Sequence, residues 1–343
     1  MGNRREFLKR GAFAAAGLAA AGRPGSALER LLKAPVPAPD KSKVVLVRNK
    51  AVVDAAGKVE NALLEKMLDK GITAFTGSSS ATDSWRRFFA PEDVVGLKIN
   101  TLGCMDVKGT DFTMHFASII GAVAASLRKI GLPDKNIVVW DRSEEEMQEA
   151  GLTMQHDPGS IRFLANKVSR RDAGDYAEAT YPVGSVTSRV SRILDQVTTS
   201  MINICVPKTH GQAAFTNALK NHYGTIDNPS RMHANACSSP GIAEVNAIPV
   251  IRKKQRLVIS DALLMVIEAG PRWDRRFIRP FGGLLVGTDP VAVDAVAVSL
   301  MDDLRKAEGM DALAPRVPHI GLADQLGLGR SRLADIDLVT TGV

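Results

Sequence analysis

The sequence is poor in cysteine. Cys104, Cys205 and Cys237 are the only three in 343 residues, and no C-x-x-C pair occurs. This scarcity excludes a small disulfide scaffold and leaves no iron–sulfur or zinc-ribbon motif in the chain. A G-x-S-x-G element and a glycine-rich loop after a strand are also missing, so the common signatures of serine hydrolases and nucleotide-binding proteins give no support here.

Positive charge is in small excess. The formal net charge is +7, but residues 1–27 hold five basic residues and one acidic residue, a surplus of four. Residues 28–343 therefore carry +3, an ordinary value that does not indicate a nucleic-acid partner. The overall composition likewise excludes collagen-like, coiled-coil and wholly disordered chains.

The N-terminal segment resembles a twin-arginine export signal. Arg4 and Arg5 precede an uncharged Ala/Gly-rich run at residues 11–22, and a small-residue cleavage site ends at Ala27. The run is shorter than the roughly 20 residues that a membrane-spanning helix needs. We therefore expect the Tat translocase as a partner, a periplasmic or other extracytoplasmic location, and no membrane span in the mature chain. Cleavage after Ala27 and retention as an anchor both stay open.

After a Pro-rich linker at residues 28–42, short β-branched segments alternate with longer amphipathic ones. Strands are predicted at residues 43–48, 94–100, 136–141, 201–207, 256–261, 283–288 and 336–340. Helices are predicted at residues 62–69, 114–130, 144–150, 190–196, 216–222, 242–248 and 291–304. This alternation is typical of an α/β fold with a mostly parallel sheet and helices on both faces. It covers residues 43–343, and a division into halves at 43–200 and 201–343 stays open.

Polar residues collect where the predicted strands end. Lys98 and Asn100 close one strand, and Asp141 and Arg142 close the next. Lys208 and His210 follow a further strand, and Asp261 closes another. Because ligands of open parallel sheets bind outside the carboxyl ends of the strands, we expect these side chains to converge there.

Other polar residues have simpler interpretations. Asp289, and Asp141 together with Ser143, precede predicted helices and suit N-caps. Asp294 lies within an apolar helical pattern and needs a partner if it is buried, so it is expected to hold a lysine, a histidine or a cation. His115 lies in an apolar helix and is expected to pack or cap rather than bind a ligand.

The densest polar segment supports two interpretations. Lysine and amide donors suit a phosphate or carboxylate, and the first set is Lys98, Lys208, His210, Lys220 and Asn221. Imidazole and thiolate groups suit zinc, iron or copper, and the second set is His210, His222, His233 and Cys237. The spacing of the second set matches no compact metal motif. A basic segment at residues 270–280 includes Arg275 and Arg276, and it predicts either a loop that closes over an acidic ligand or an ordinary solvated loop.

Several of these segments occur together in one known family. The shared motifs are VGLKIN at 95–100, VPKTH at 206–210, LKNHYG at 219–224, LVISDA at 257–262, GP at 270–271 and DPVAVD at 289–294. In this order, over roughly residues 90–300, the chain resembles the family known as domain of unknown function 362. Many members carry appended iron–sulfur motifs, which this chain lacks, and the resemblance implies no particular reaction.

Together these patterns predict an exported enzyme or cofactor-dependent protein with a pocket for a small carboxylate or phosphate. The predicted binding residues are Lys98, Asn100, Lys220, Asn221, Arg275 and Arg276. His210 is predicted to act as general acid or base, with Lys208 and Asp261 as catalytic partners. Asp289 and Asp294 are assigned structural or cation-holding roles. The cofactor is not specified, although a divalent metal is one option, and a non-catalytic periplasmic protein that binds a solute or metal is the alternative.

Overall fold

The computed structural model describes residues 41–239 and 241–343. The predicted signal with Arg4 and Arg5, and most of the predicted linker, lie outside the described residues. The strands are β1 (Ser42–Arg48), β2 (Val95–Lys98), β3 (Ile137–Ser143), β4 (Arg162–Lys167), β5 (Tyr176–Val183), β6 (Val186–Ser191), β7 (Ser200–Cys205), β8 (Lys208–His210), β9 (Ala214–Thr216), β10 (Gln255–Val266), β11 (Ile278–Gly287) and β12 (Ile336–Thr341). The α-helices are α1 (Asn61–Thr76), α2 (Ala81–Arg86), α3 (Met114–Lys129), α4 (Glu144–Glu149), α5 (Ala218–Asn221), α6 (Ile242–Asn246), α7 (Pro249–Lys254), α8 (Pro290–Ala307) and α9 (Pro318–Gln325).

One large sheet organises the fold. Its strand order is β12-β1-β11-β10-β7-β2-β3-β4, and every strand on this path runs in the same direction except β11. The short hairpin β8–β9 attaches to the end of β10, where Lys208 pairs with Val266. The predicted α/β fold with a mostly parallel sheet is confirmed.

Both faces of the sheet are covered by apolar side chains. In β1, Val44 and Leu46 belong to one hydrophobic cluster, whereas Val45 and Val47 belong to the other. Successive strand residues point to opposite faces, so this division shows a sheet buried on both sides. Helices α6 and α8 contribute to the cluster that contains Val44 and Leu46. Helices α1 and α3 contribute to the cluster that contains Val45 and Val47. No helix among the described residues is long and apolar enough to cross a membrane.

All seven predicted strands are present, with shifted ends, but the segment around residue 190 was predicted wrongly. The helix predicted at 190–196 is absent, since Val190 lies in β6 and only a single π-helical turn, Ile193–Val197, follows. Ser188 and Val190 are buried while Arg189 between them is exposed, which is the alternation of a strand. Strand β4 and the β5–β6 hairpin were not predicted.

Candidate functional site

A small cavity lies where β2 and β3 end and the chain leaves β7. Its volume is about 70 Å³, room for roughly two water molecules or one small ion. The lining residues are Asn100, Leu102, Asp141, Arg142, Glu146, His210, Thr216, Lys220, Asn221, Tyr223, Gly224, Pro229 and His233. Of the predicted ligand-binding residues, Asn100, His210, Lys220 and Asn221 line this cavity.

Lys98 and Asp141 form a buried ion pair beneath the cavity. Lys98 Nζ donates to Asp141 Oδ1 at 2.7 Å, to Asn221 Oδ1 at 3.0 Å and to the carbonyl oxygen of Ile99 at 2.6 Å. An ammonium group has three donors, so all of those on Lys98 are in use. In this structure Lys98 therefore holds Asp141 and Asn221 in place, and its predicted contact with a ligand stays a prediction.

Asp141 has a different role from the predicted helix cap. Its Oδ2 accepts from the backbone N–H and the hydroxyl of Thr101, each at 2.7 Å, and its Oδ1 also accepts from the backbone N–H of Arg142. Burial acts to raise the pKa of Asp141. The charge of Lys98 and the hydrogen bonds from Lys98 and Thr101 lower it by a larger amount, so the pKa lies below its ordinary value and the carboxylate stays charged. The cap of α4 is Ser143, whose side chain accepts from Glu146 N.

Asn221 is held from both sides by this network. Its Oδ1 accepts from Lys98, and its Nδ2 donates to Asn203 Oδ1 at 2.7 Å and to the carbonyl oxygen of Lys98 at 3.2 Å. The amide is therefore not available as the predicted ligand donor. Gly224 completes the wall, because a Cβ atom there would lie 2.9 Å from Lys98 Nζ and 3.1 Å from Asp141 Oδ1.

Asp294 positions the short helix α5. From the middle of α8 its Oδ1 accepts from Ala218 N at 2.8 Å and its Oδ2 accepts from Leu219 N at 3.1 Å. These are unpaired N–H groups at the start of a helix, so Asp294 acts as an N-cap supplied from another element. Burial raises the pKa of Asp294 to about 7. Asp289 is the N-cap of α8 itself, with Val291 N and Ala292 N as donors.

Lys220, which α5 carries to the cavity, is buried without a counter-charge. Its Nζ lies 3.2 Å from His233 Nε2 and 4.0 Å from the centre of the Tyr223 ring. Among the described residues no carboxylate lies within ion-pair distance of it. Burial lowers its pKa to about 7, and the nearby cations of Lys208 and Arg142 act in the same direction.

Two stacked histidines in the cavity wall are held in opposite tautomers. His233 Nδ1 lies 2.9 Å from the carbonyl oxygen of Pro229 and so carries the proton, which leaves Nε2 as an acceptor. His210 Nδ1 accepts from Gln212 N at 3.1 Å and Ala213 N at 3.2 Å, so the proton of the neutral ring is on Nε2. The ring centres are 5.5 Å apart.

These contacts limit what His210 can do in its neutral form. Burial lowers the pKa of His210 to about 2 and that of His233 to about 4, so both rings are neutral near pH 7. With Nδ1 occupied by two backbone donors and Nε2 protonated, His210 can donate a hydrogen bond but has no free lone pair for a proton. Its role as a general acid or base stays a prediction.

The predicted catalytic partners of His210 do not join it. Lys208 is fully buried, its Nζ donates to the carbonyl oxygen of Leu102 at 2.6 Å, and burial lowers its pKa to about 8. Asp261 Oδ2 lies 2.6 Å from His115 Nδ1, and both side chains are buried. Lys208 and Asp261 are both absent from the cavity lining within the part of the chain that the structure describes. His115 is thus the partner of Asp261, which agrees with its predicted packing role.

The predicted arginine loop lies outside the cavity lining. The Arg276 guanidinium pairs with Asp274 at 2.6 Å and its side chain is 77% exposed, as expected for a solvated loop. Neither Arg275 nor Arg276 is among the described lining residues. Arg142, which the sequence analysis placed at a strand end without a ligand-binding role, lines the cavity, where it pairs with Glu146. It directly follows Asp141 in β3, in the region where the rule for parallel sheets expects ligand-facing residues.

The predicted four-ligand metal set is not assembled. His222 is buried against Gln255, with Nε2 2.9 Å from Oε1, and burial lowers its pKa to about 4. His222 and Cys237 are both missing from the described cavity lining. Within residues 41–239 and 241–343, no group of three or more His, Cys, Asp or Glu side chains is placed to hold a metal ion.

Comparisons with known proteins support the family that the sequence motifs indicate. No curated protein matches the sequence. A crystal structure of a protein from Thermotoga maritima, determined by the Northeast Structural Genomics Consortium, is similar with a TM-score of 0.45 and 12% identity. The similarity covers 70% of this chain and 59% of that protein. The profile of the family described as Domain of unknown function (DUF362) matches residues 95–299. The chain therefore belongs to the DUF362 family.

Proposed function

We propose that this protein binds a small anion, a carboxylate or a phosphate, in the cavity beside α5. The observation that carries the proposal is the buried ammonium group of Lys220, which has no acidic partner among the described residues. A buried cation is costly unless an opposite charge accompanies it. A bound anion supplies that charge.

The acids in the cavity wall do not meet this need. Asp141 is already paired with Lys98, and Glu146 is paired with both Arg142 and Arg170. The wall is thus neutral except for Lys220, whose protonated form leaves a positive surplus facing the cavity.

Neutral donors surround the same space. The Nε2–H of His210 and the hydroxyl of Thr216 can both donate to an anion. Thr216 Oγ1 is buried without a hydrogen-bond partner in the described part of the chain. Buried polar groups are normally satisfied, so this hydroxyl supports a ligand that accepts a hydrogen bond. The cavity volume of about 70 Å³ favours a compact ion over a nucleotide.

Export belongs to the same proposal. The Arg4-Arg5 pair ahead of an uncharged run supports translocation by the Tat system and a role for the protein in the periplasm. An exported enzyme acting on the anion is the favoured form of the proposal, and a non-catalytic solute-binding protein with the same pocket is the alternative. Turnover of a bound anion separates the two.

The test is calorimetric titration of the purified protein with phosphate, acetate and glyoxylate at pH 6. We expect at least one of them to bind, and we expect Lys220→Met to weaken binding by about tenfold or more, the usual effect of losing a charge-assisted hydrogen bond. Lys208→Met is the matched control, because it removes the other unpaired buried lysine at a place outside the cavity, and it should retain affinity. Unchanged affinity in Lys220→Met, or no binding of any of the three, overturns the proposal.

A further inference from the structure

We infer that Lys220 is a nucleophilic amine that forms an imine with the carbonyl carbon of a small oxo acid. The inference rests on the proposed anion pocket for the acid's carboxylate, and it adds a covalent step at the lysine. The substrate class is a compact aldehyde or ketone that carries a carboxylate, in keeping with the volume of the cavity.

The environment of Lys220 suits an amine that gives up a proton. Nζ lies 3.2 Å from His233 Nε2, and the other ring nitrogen of His233 is tied to the carbonyl oxygen of Pro229. That tie fixes the tautomer in which the Nε2 lone pair faces the lysine. A lysine that burial removes from water, with no carboxylate holding it as ammonium, is activated as a nucleophile, and the His233 lone pair can accept its proton.

His210 supplies the complementary group. Its Nδ1 is occupied by two backbone N–H donors, so its Nε2 can only donate. A donor in the cavity wall is placed to polarise the carbonyl oxygen of a substrate and to stabilise the alkoxide that forms when the amine attacks. The two stacked rings therefore have different roles. His233 accepts a proton from Lys220 Nζ, and His210 donates a hydrogen bond to the carbonyl oxygen of the substrate.

The effect of burial on the protonation state of Lys220 also supports this assignment. The pKa of Lys220 is lowered to about 7 chiefly by burial, so a large fraction of the side chain is the free amine near neutral pH. The titratable and charged groups that act on it are His233, Tyr223, Cys237, Lys208 and Arg142. Tyr223 does not compete as a proton donor, because its hydroxyl donates to the carbonyl oxygen of Met232 at 2.5 Å.

The step balances without a further reagent. The Nζ lone pair forms the C–N bond, the carbonyl π electrons move to oxygen, and one Nζ proton passes to His233. The oxygen takes up two protons, one returned through His233 and one from solvent, and leaves as water when the C–O bond breaks. The products are a protonated imine on Lys220 and one molecule of water, with no change in redox state.

The experiment is reductive trapping of the wild-type protein with glyoxylate or pyruvate and cyanoborohydride at pH 7, followed by peptide mapping. We expect one secondary amine, at Lys220, formed well before the exposed lysines react. Lys208 is the internal reference, since it is also buried with a lowered pKa but lies outside the described cavity lining, and it should stay unmodified. An adduct spread over surface lysines with Lys220 unmodified overturns the inference.

Two further measurements test the assignment, and the first of them uses only the wild-type protein. Phosphate should protect Lys220 of the wild-type protein from trapping, because it occupies the same cavity. His233→Leu should slow trapping by about 100-fold or more and shift its pH profile upward, since the amine loses its proton acceptor. If acetate or phosphate binds but no adduct forms at Lys220, the imine inference fails and the anion pocket stands. If acetone, a neutral carbonyl probe, is trapped at Lys220 while no anion binds, the anion pocket fails instead.

Discussion

Lys98 Nζ and Asp141 Oδ1 lie 2.7 Å apart at the ends of two neighbouring parallel strands, with side-chain exposures of 1% and 5%. The pair is held by further hydrogen bonds from Thr101 and to Asn221. A pair this deeply buried is costly to break on one side only, because the remaining charge has no water to solvate it.

Removing one member of this pair should destabilise the protein more than removing both. We expect Lys98→Met to lower the free energy of unfolding by about 3–5 kcal/mol, since it leaves the Asp141 carboxylate unpaired. The double variant Lys98→Met/Asp141→Leu should be more stable than Lys98→Met alone. Urea unfolding of the wild-type protein, Lys98→Met, Asp141→Leu and the double variant measures this. Effects that simply add would show that the two charges do not depend on each other.

Anion affinity should fall as the pH rises through about 7. Burial lowers the pKa of Lys220 to about 7, so above that pH the free protein must take up a proton before the ammonium can hold an anion. His210 and His233 are neutral throughout this range and should not contribute. Titrations with phosphate analogues of fixed charge, such as sulfate, between pH 6 and 9 give the profile. A constant affinity across that interval would contradict the assignment of Lys220.

Asp294→Asn should loosen helix α5 and weaken anion binding together. The amide keeps one acceptor but turns an N–H group toward the backbone N–H groups of α5, so we expect a loss of about 1–3 kcal/mol in the free energy of unfolding. Because the folded pKa of Asp294 is raised, the native state holds a proton that the unfolded chain lacks between pH 3.8 and about 7. This contribution to stability is present at low pH and lost as pH rises.

The pH dependence provides the control for that variant. Unfolding measured at pH 5 and pH 8 should show a component in the wild-type protein that Asp294→Asn lacks. Asp302→Asn, which alters another aspartate of α8 that accepts from backbone N–H groups, those of Leu313 and Ala314, should retain it. Equal pH dependence in the wild-type protein and Asp294→Asn would contradict the raised pKa.

Substitution of an arginine should weaken anion binding only where that arginine lines the cavity. Arg142→Ala, which removes a cation from the cavity wall, should weaken sulfate binding by about tenfold, the scale of a charged hydrogen bond. Arg275→Ala/Arg276→Ala should leave it within experimental error, because the Arg276 guanidinium pairs with Asp274 in solvent. Calorimetry on the wild-type protein, Arg142→Ala and the double variant gives the comparison. Weaker sulfate binding in the double variant would show that the arginine loop contributes to the anion site.

The sequence predicted the strands of the sheet well, but it did not predict which polar side chains contact each other. Period-two and period-3.6 patterns located the seven central strand segments and placed polar residues at their carboxyl ends, because both signals are local. The partners of those residues are not local. Asp261 meets His115 across 146 positions, and Lys98 meets Asn221 across 123. A local pattern does not record such distant partners, so the sequence could not show that Lys98 and Asn221 hydrogen-bond to each other.

The pairing of β1 with β12 has a consequence for biosynthesis. These strands join distant parts of the chain, and Asn49 donates to the carbonyl oxygen of Val343 across 294 residues. Until β12 has been made, β1 remains an unpaired edge with the apolar sequence Val44-Val45-Leu46-Val47, which invites pairing with other chains. A nonsense mutation or proteolytic cut just before residue 336 should therefore yield insoluble aggregates rather than a slightly less stable monomer.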